Sequence, residues 1–254
     1  MTAPLLETRA LGRSFGALAA ARDIDFRLEP GARHALIGPN GAGKTTFINL
    51  LSGALQPTRG QVFLKGTDIT TIAEAERVKL GIARTFQINR LFRGLTVLEN
   101  VFIAVAERTG VAPSLFRPAG ACKAVIEEAM HLLETLKLQD AAGRRVRELP
   151  YGRQRLVEIA IALGLEPEVL LLDEPAAGVP STESHIILDT VAHLPKHVGV
   201  LIIEHDMDVV LRFAERITVL VAGSVLTEGT PREIMADEQV RAVYLGQDAG
   251  VRHG

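Results

Sequence analysis

The chain has 254 residues, 47% hydrophobic and 23% charged, which is the make-up of an ordinary globular protein long enough for a sizeable core. A net charge of −2 gives no electrostatic footprint for an acidic membrane surface or for nucleic acid, so no nucleic-acid partner is expected. The single cysteine, Cys122, excludes an internal disulfide and fits a reducing compartment.

The N-terminus lacks a basic stretch followed by an apolar run, so no signal peptide is expected. No stretch approaches the roughly 20 apolar residues of a bilayer span. Any link to a membrane must therefore come through a partner.

Along the chain, short apolar runs alternate with helical patterns, which points to an α/β fold. Residues 24–28 and 35–38 read as strands. A helix is expected from Gly43 to about Ser52, where Phe47, Ile48, Leu50 and Leu51 recur at helical spacing. A strand follows at 61–64. From about 91 to 165 the strand signal fades, and helices are expected over 96–105 and 123–138, with a Pro- and Gly-containing loop at 113–120 between them. This block reads as a helical subdomain, 89–165, inserted into an α/β core made of 1–88 and 166–254. Further strands are expected at 169–173, 200–204, 217–221 and 224–228. The cluster Arg144, Arg145 and Arg147 reads as a solvated face.

Residues 38–45 read GPNGAGKT, a full P-loop pattern with a strand before it and a helix after it. Gly38, Gly41 and Gly43 let the backbone curl, so that N–H groups along Gly38, Pro39, Asn40, Gly41, Ala42, Gly43, Lys44, Thr45 and Thr46 can face phosphate oxygens. The helix that follows adds its positive end. Lys44 is expected to reach the β- and γ-phosphates of ATP, and Thr45 to offer its hydroxyl to Mg²⁺.

Residues 169–175, VLLLDEP, form an apolar run that ends in two carboxylates, as expected of a strand buried on both faces whose carboxyl end meets a ligand. Asp173 is a candidate Mg²⁺ residue, acting through water. Glu174 is a candidate general base for the attacking water.

With these motifs in place, nearly the whole chain resembles the ABC ATPases. The resemblance implies a P-loop core with an inserted helical signature subdomain and an antiparallel β portion near the N-terminus. It also implies roles for further residues. Gln87, in RTFQ from Arg84, matches a glutamine that senses the γ-phosphate and Mg²⁺. LPYGR from Leu149 occupies the place of the signature, so Tyr151 and Gly152 are expected to meet nucleotide. His205 matches the switch histidine, and Phe15 the aromatic that stacks on adenine.

The family mechanism resembles a clamp. Two copies, or this chain and a paralogous ATPase subunit, meet head to tail and enclose each ATP between one P-loop and the other subunit's signature. The motion passes to transmembrane permease subunits, and TVLEN from Thr96 lies where their docking surface is expected. A periplasmic or extracellular solute-binding protein is implied indirectly, and the subunit would sit peripherally on the cytoplasmic face of the inner membrane.

A narrower resemblance is to the importers of branched-chain amino acids, carried by RTFQINRLF from Arg84, YGRQRLVEIA from Tyr151, DEPAAGV from Asp173 and VRAVYLG from Val240. Related importers of urea, amides or aromatic acids share much of this vocabulary.

Three positions depart from the family pattern. Pro150 replaces the signature serine, Arg153 stands where a glutamine is usual, and Pro180 replaces an aspartate that communicates between ATP sites. The alternative to a transporter motor is a non-transport ABC ATPase. Chromosome-type members carry a long coiled coil between P-loop and signature, and no sustained heptad pattern lies between Lys44 and Gly152. Translation-type members carry two ATPase units in one chain, and this chain has one.

Overall fold

The computed structural model describes residues 3–85, 91–111 and 119–248. An antiparallel hairpin, β1 (Leu6–Phe15) and β2 (Leu18–Leu28), leads into β3 (Arg33–Ile37), and a glycine-rich turn leads from β3 into α1 (Lys44–Ser52). β4 (Arg59–Leu64) and β5 (Thr67–Asp68) return to the hairpin and complete a four-stranded sheet in the order β2-β1-β4-β5. This is the antiparallel portion expected near the N-terminus. α2 (Glu74–Lys79) and β6 (Ile82–Arg84) follow, and then three α-helices with no strand among the described residues between them: α3 (Val97–Arg108), α4 (Ala119–Thr135) and α5 (Tyr151–Gly164). The chain then alternates through β7 (Val169–Asp173), α6 (Ser181–Ala192), β8 (Gly199–Ile203), α7 (Met207–Phe213), β9 (Arg216–Val221) and β10 (Ser224–Gly229), and ends in α8 (Pro231–Ala236) and α9 (Glu238–Asp248).

The second sheet has six strands in the order β10-β9-β3-β8-β7-β6, parallel except for β10. Every residue of β3, β7 and β8 is buried. The apolar runs of β7 and β8 fit this, because a parallel strand covered on both faces has no solvent side to keep polar. One face packs Phe47, Ile48 and Leu51 of α1 and Phe26 of β2 against Leu171 and Leu201. The other face continues into the three-helix region, where Val97, Val101 and Val105 of α3 meet Leu133 of α4 and Leu156, Val157 and Ala160 of α5.

The strand β1 has no counterpart among the expected strands. Its inward residues Leu6 and Leu11 are out of phase, because Ala10 adopts φ 46 and the pairing shifts register around it. β6 is three residues long, too short to leave a periodic signal. α4 runs from 119 to 135 rather than 123 to 138, because Lys137, at φ 56, ends the helical geometry. Ala119 and Gly120, expected in a loop, belong to that helix, while 112–118 lie outside the described residues. Arg144, Arg145 and Arg147 are exposed, as expected. Residues 96–100 serve the start of α3: Thr96 and Glu99 form a capping box, Asn100 is bonded to both backbone groups of Phe92, and Leu98 packs against the core.

The C-terminal end of α1 is held by Arg77, which is fully buried and donates to the carbonyls of Leu50, Leu51, Ile72 and Thr70. Burial lowers its pKa to about 10, with Asp68 acting against that, so the guanidinium stays charged. A cation at a helix C-terminus also faces the negative end of the dipole. Arg77→Met leaves these carbonyls without a donor, and we expect a loss of about 3 kcal/mol of stability. The midpoint of urea denaturation of the nucleotide-free chain checks it.

Candidate functional site

The glycine-rich loop leaves the carboxyl end of the central strand β3, where ligands bind in open α/β sheets. Its curl depends on glycines at φ 152 (Gly38), 78 (Gly41) and 99 (Gly43). Two of them also touch neighbouring backbone. A Cβ on Gly38 would lie 2.2 Å from the Leu220 carbonyl oxygen of β9, and one on Gly43 would lie 2.4 Å from that of Ala20 in β2. The Gly223 N–H donates to the carbonyl of Ala42 at 2.9 Å, and Ala42 donates to Pro39. The loop is therefore wedged between β2 and the β9–β10 turn. Gly43, the N-cap of α1, brings no side-chain acceptor to the helix start. The first-turn N–H groups and the positive end of the helix thus suit an anion.

Lys44 is half-buried, and its Nζ donates to the carbonyls of Gly38, at 2.6 Å, and Pro39, at 3.0 Å. Burial pushes its pKa below the usual lysine range, and the carboxylates of Glu174 and then Asp173 oppose that shift. Thr45, in the first turn of α1, is exposed, and Thr46 is half-buried.

Asp173 ends β7 with its side chain 1% exposed, and Oδ2 accepts from Arg84 Nη2 at 2.9 Å. Its Oδ1 is buried with no hydrogen-bond partner in the protein. A hydroxyl and a carboxylate oxygen are hard donors, and an orphaned buried oxygen is what a hydrated Mg²⁺ would satisfy. Among the described residues no cluster of three or more His, Cys, Asp or Glu could hold a metal by itself.

Glu174 takes φ 47, an uncommon conformation for a side-chain-bearing residue, while its N–H stays bonded to Ile203 of β8. Its Oε1 lies 3.9 Å from His205 Nδ1, just past the end of β8. The reading of the sequence gave no role to Glu204, which is 1% exposed. It accepts from Ala176 N at 3.2 Å and from His205 N at 3.4 Å, and its Oε2 is 3.9 Å from His205 Nδ1. Burial raises its pKa, and Glu174 adds to the rise. A lone carboxylate closing an otherwise apolar strand was the signal for it in the sequence. The structure thus brings the loop, Asp173, Glu174 and His205 to the carboxyl ends of the adjacent strands β3, β7 and β8. Gln87 lies outside the described residues.

Phe15 and Leu18 pair at the tip of the β1–β2 hairpin, both exposed, with the Arg13 guanidinium 4.8 Å from the Phe15 ring centroid. Because Ala20 of the same hairpin abuts Gly43, Phe15 belongs to the loop's side of the molecule.

On the helical side, α5 starts at Tyr151, with Pro150 as its N-cap. Its ψ of 152 is the extended geometry of an N-cap, and its carbonyl accepts from Gln154 N. Gly152 is buried, and Tyr151 packs against Gly178 with the Arg155 guanidinium 5.0 Å from its ring centroid. Arg153 turns to its own subunit, binding both carboxylate oxygens of Asp140 and the Lys137 carbonyl. Pro180 is the N-cap of α6.

This arrangement is that of an ATP-binding cassette. Residues 21–177 match the ABC transporter family, to which the chain belongs, and the chain is accordingly an ATP-hydrolysing enzyme. Residues 224–250 match the family described as branched-chain amino acid ATP-binding cassette transporter. The chain is 37% identical to the high-affinity branched-chain amino acid transport ATP-binding protein LivG of Escherichia coli K12, over 97% of this chain and 100% of that protein. It is 32% identical, with a TM-score of 0.83, to the ADP conformation of an ATP-binding cassette of an ABC transporter, covering 96% and 99% of the two chains. A dimeric cassette in a post-hydrolysis state with ADP and Pi is 25% identical, with a TM-score of 0.73 over 89% of this chain and 99% of that one.

Two expectations follow from this geometry. Gly38→Ala should destabilise the nucleotide-free chain by several times the cost of Gly41→Ala. The added Cβ meets backbone at 2.2 Å in the first case and no atom within 4 Å in the second, where only a left-handed strain of about 1–2 kcal/mol applies. Denaturation midpoints of the two variants decide it. For Glu204, a folded pKa raised above 4.5 means a contribution to stability that is complete below that value and lost as pH rises through the folded pKa. Stability measured from acid to neutral pH should therefore shift in favour of Glu204→Gln as pH rises.

Proposed function

We propose that the chain is the ATP-hydrolysing motor of a membrane importer for branched-chain amino acids or related small polar solutes. It would work as a head-to-tail dimer with itself or a paralogous ATPase subunit. Transmembrane permease subunits would hold it peripherally at the cytoplasmic face, and a solute-binding protein would deliver the cargo to them. The observation that carries the reading is the convergence of the loop at 38–45 with Asp173, Glu174 and His205 at the carboxyl ends of adjacent strands. The match of residues 224–250 to the branched-chain amino acid subgroup supports the cargo class.

In this reading the loop N–H groups and Lys44 bind the phosphates, Lys44 exchanging its bonds to Gly38 and Pro39 for phosphate oxygens. Thr45 and Asp173, with Gln87, would hold Mg²⁺, which when bound neutralises charge on the β- and γ-phosphates. Glu174 takes the proton of the attacking water at its carboxylate, and His205 beside it faces the γ-phosphate. Phe15 stacks on adenine. Tyr151 and Gly152 of a second copy would close the site at the start of α5, with the helix dipole aimed at the nucleotide. The helical block 89–165 is the lever between nucleotide and permease.

In the assembled complex, Glu174→Gln should lower turnover by roughly 10²–10⁴-fold while ATP still binds and the dimer accumulates. Lys44→Ala should weaken ATP binding itself by on the order of 10–100-fold. Steady-state hydrolysis, ATP titration and size-exclusion chromatography read these effects. Wild-type turnover in Glu174→Gln would remove the base assignment.

A further inference from the structure

The carboxylate at the end of β7 and the helix after the loop are joined by one side chain that the proposed reaction leaves without a role. Arg84, the last residue of β6, has a side chain only 11% exposed and forks between two elements. Nη2 donates to Asp173 Oδ2 at 2.9 Å, and Nη1 donates to Asn49 Oδ1 at 2.5 Å. Asn49 lies four residues after Thr45 in α1, so the two share a helix face. The guanidinium therefore spans the elements that carry the two metal-binding candidates. It occupies Oδ2 of Asp173 and leaves Oδ1 as the buried oxygen without a protein partner.

We propose that Arg84 is a positioning residue for the metal of the nucleotide site: it fixes the spacing between Thr45 and Asp173 and reserves Asp173 Oδ1 for a metal-bound water. This rests on the reading of Asp173 as a metal-site residue. Arginine suits the task because its planar fork binds two acceptors at a set separation, whereas lysine supplies a point charge that can satisfy only one of these directions well. With both partners nearly excluded from solvent, the pair is not diluted by screening as a surface ion pair would be.

The test is Mg²⁺ titration of the binding of a fluorescent, non-hydrolysable ATP analogue to the full chain and to Arg84→Lys, Arg84→Met and Asp173→Asn, with metal-free binding and thermal unfolding measured alongside. Arg84→Lys keeps the charge beside Asp173 and guards against misfolding of Arg84→Met. Both Arg84 variants should need on the order of 10-fold more Mg²⁺ for half-effect, as changes to groups that orient metal ligands do. Their metal-free affinity for the analogue should stay within about twofold of wild type, since the loop and Lys44 are untouched. Asp173→Asn should shift the Mg²⁺ requirement at least as far. Wild-type Mg²⁺ dependence in both Arg84 variants, beside a shifted Asp173→Asn, would overturn the positioning role alone. Unchanged Mg²⁺ dependence in Asp173→Asn would overturn the metal reading and this role with it. Equal losses of metal-free and Mg²⁺-dependent binding in Arg84→Lys would make the residue structural and also overturn the proposal.

Discussion

A loop that presents successive backbone N–H groups to one point must turn more tightly than side chains allow, and something must hold it there before any ligand arrives. In this chain the holding is done by backbone. The carbonyl of Leu220 presses on Gly38, that of Ala20 presses on Gly43, and Gly223 bonds to Ala42. These contacts come from two different sheets, so the phosphate cradle exists only where the antiparallel sheet meets the parallel one. The packing of Phe26 against Phe47, with ring centroids 5.5 Å apart, fixes that junction from within the core. The order of the parallel sheet then brings β7 and β8 to end beside the same loop.

Charge follows from that placement. Lys44 is held in a half-buried position that works against its protonation, and Asp173 and Glu174 sustain it electrostatically. The carboxylates in turn are separated by environment. Asp173 is neutralised by Arg84, Glu174 is turned outward from the strand by its left-handed backbone, and Glu204 is buried beneath His205. Three acids within a few residues of two adjacent strand ends thus have three different surroundings.

Much of this was legible in the sequence wherever chemistry and spacing coincide on a short stretch. GPNGAGKT announces its own loop, and VLLLDEP announces both a buried strand and the acids at its end. The resemblance to ABC ATPases supplied Phe15 and His205, which no local rule could have singled out. What escaped was long-range. Nothing in the sequence joins Arg84 to Asn49, and only the sheet order places them with Asp173. Glu204 was hidden by the histidine next to it. β1 was lost because its bulge breaks the alternation that marks a strand.

The departures from the family pattern fall into the same scheme. Pro150 and Pro180 each precede a helix at the edge of the site, and both carry a fixed φ that suits the entry. Arg153 is absorbed by Asp140 within its own helical region. None of the three is hydrogen-bonded to the loop, Asp173 or Glu174. The most direct measurement is uptake of radiolabelled leucine by proteoliposomes that contain this chain with the permease subunits and solute-binding protein proposed for it. Uptake should require ATP on the side that carries this chain and should stop when its Lys44 is replaced by Ala. Leucine uptake that persists without ATP or with that replacement would contradict the account.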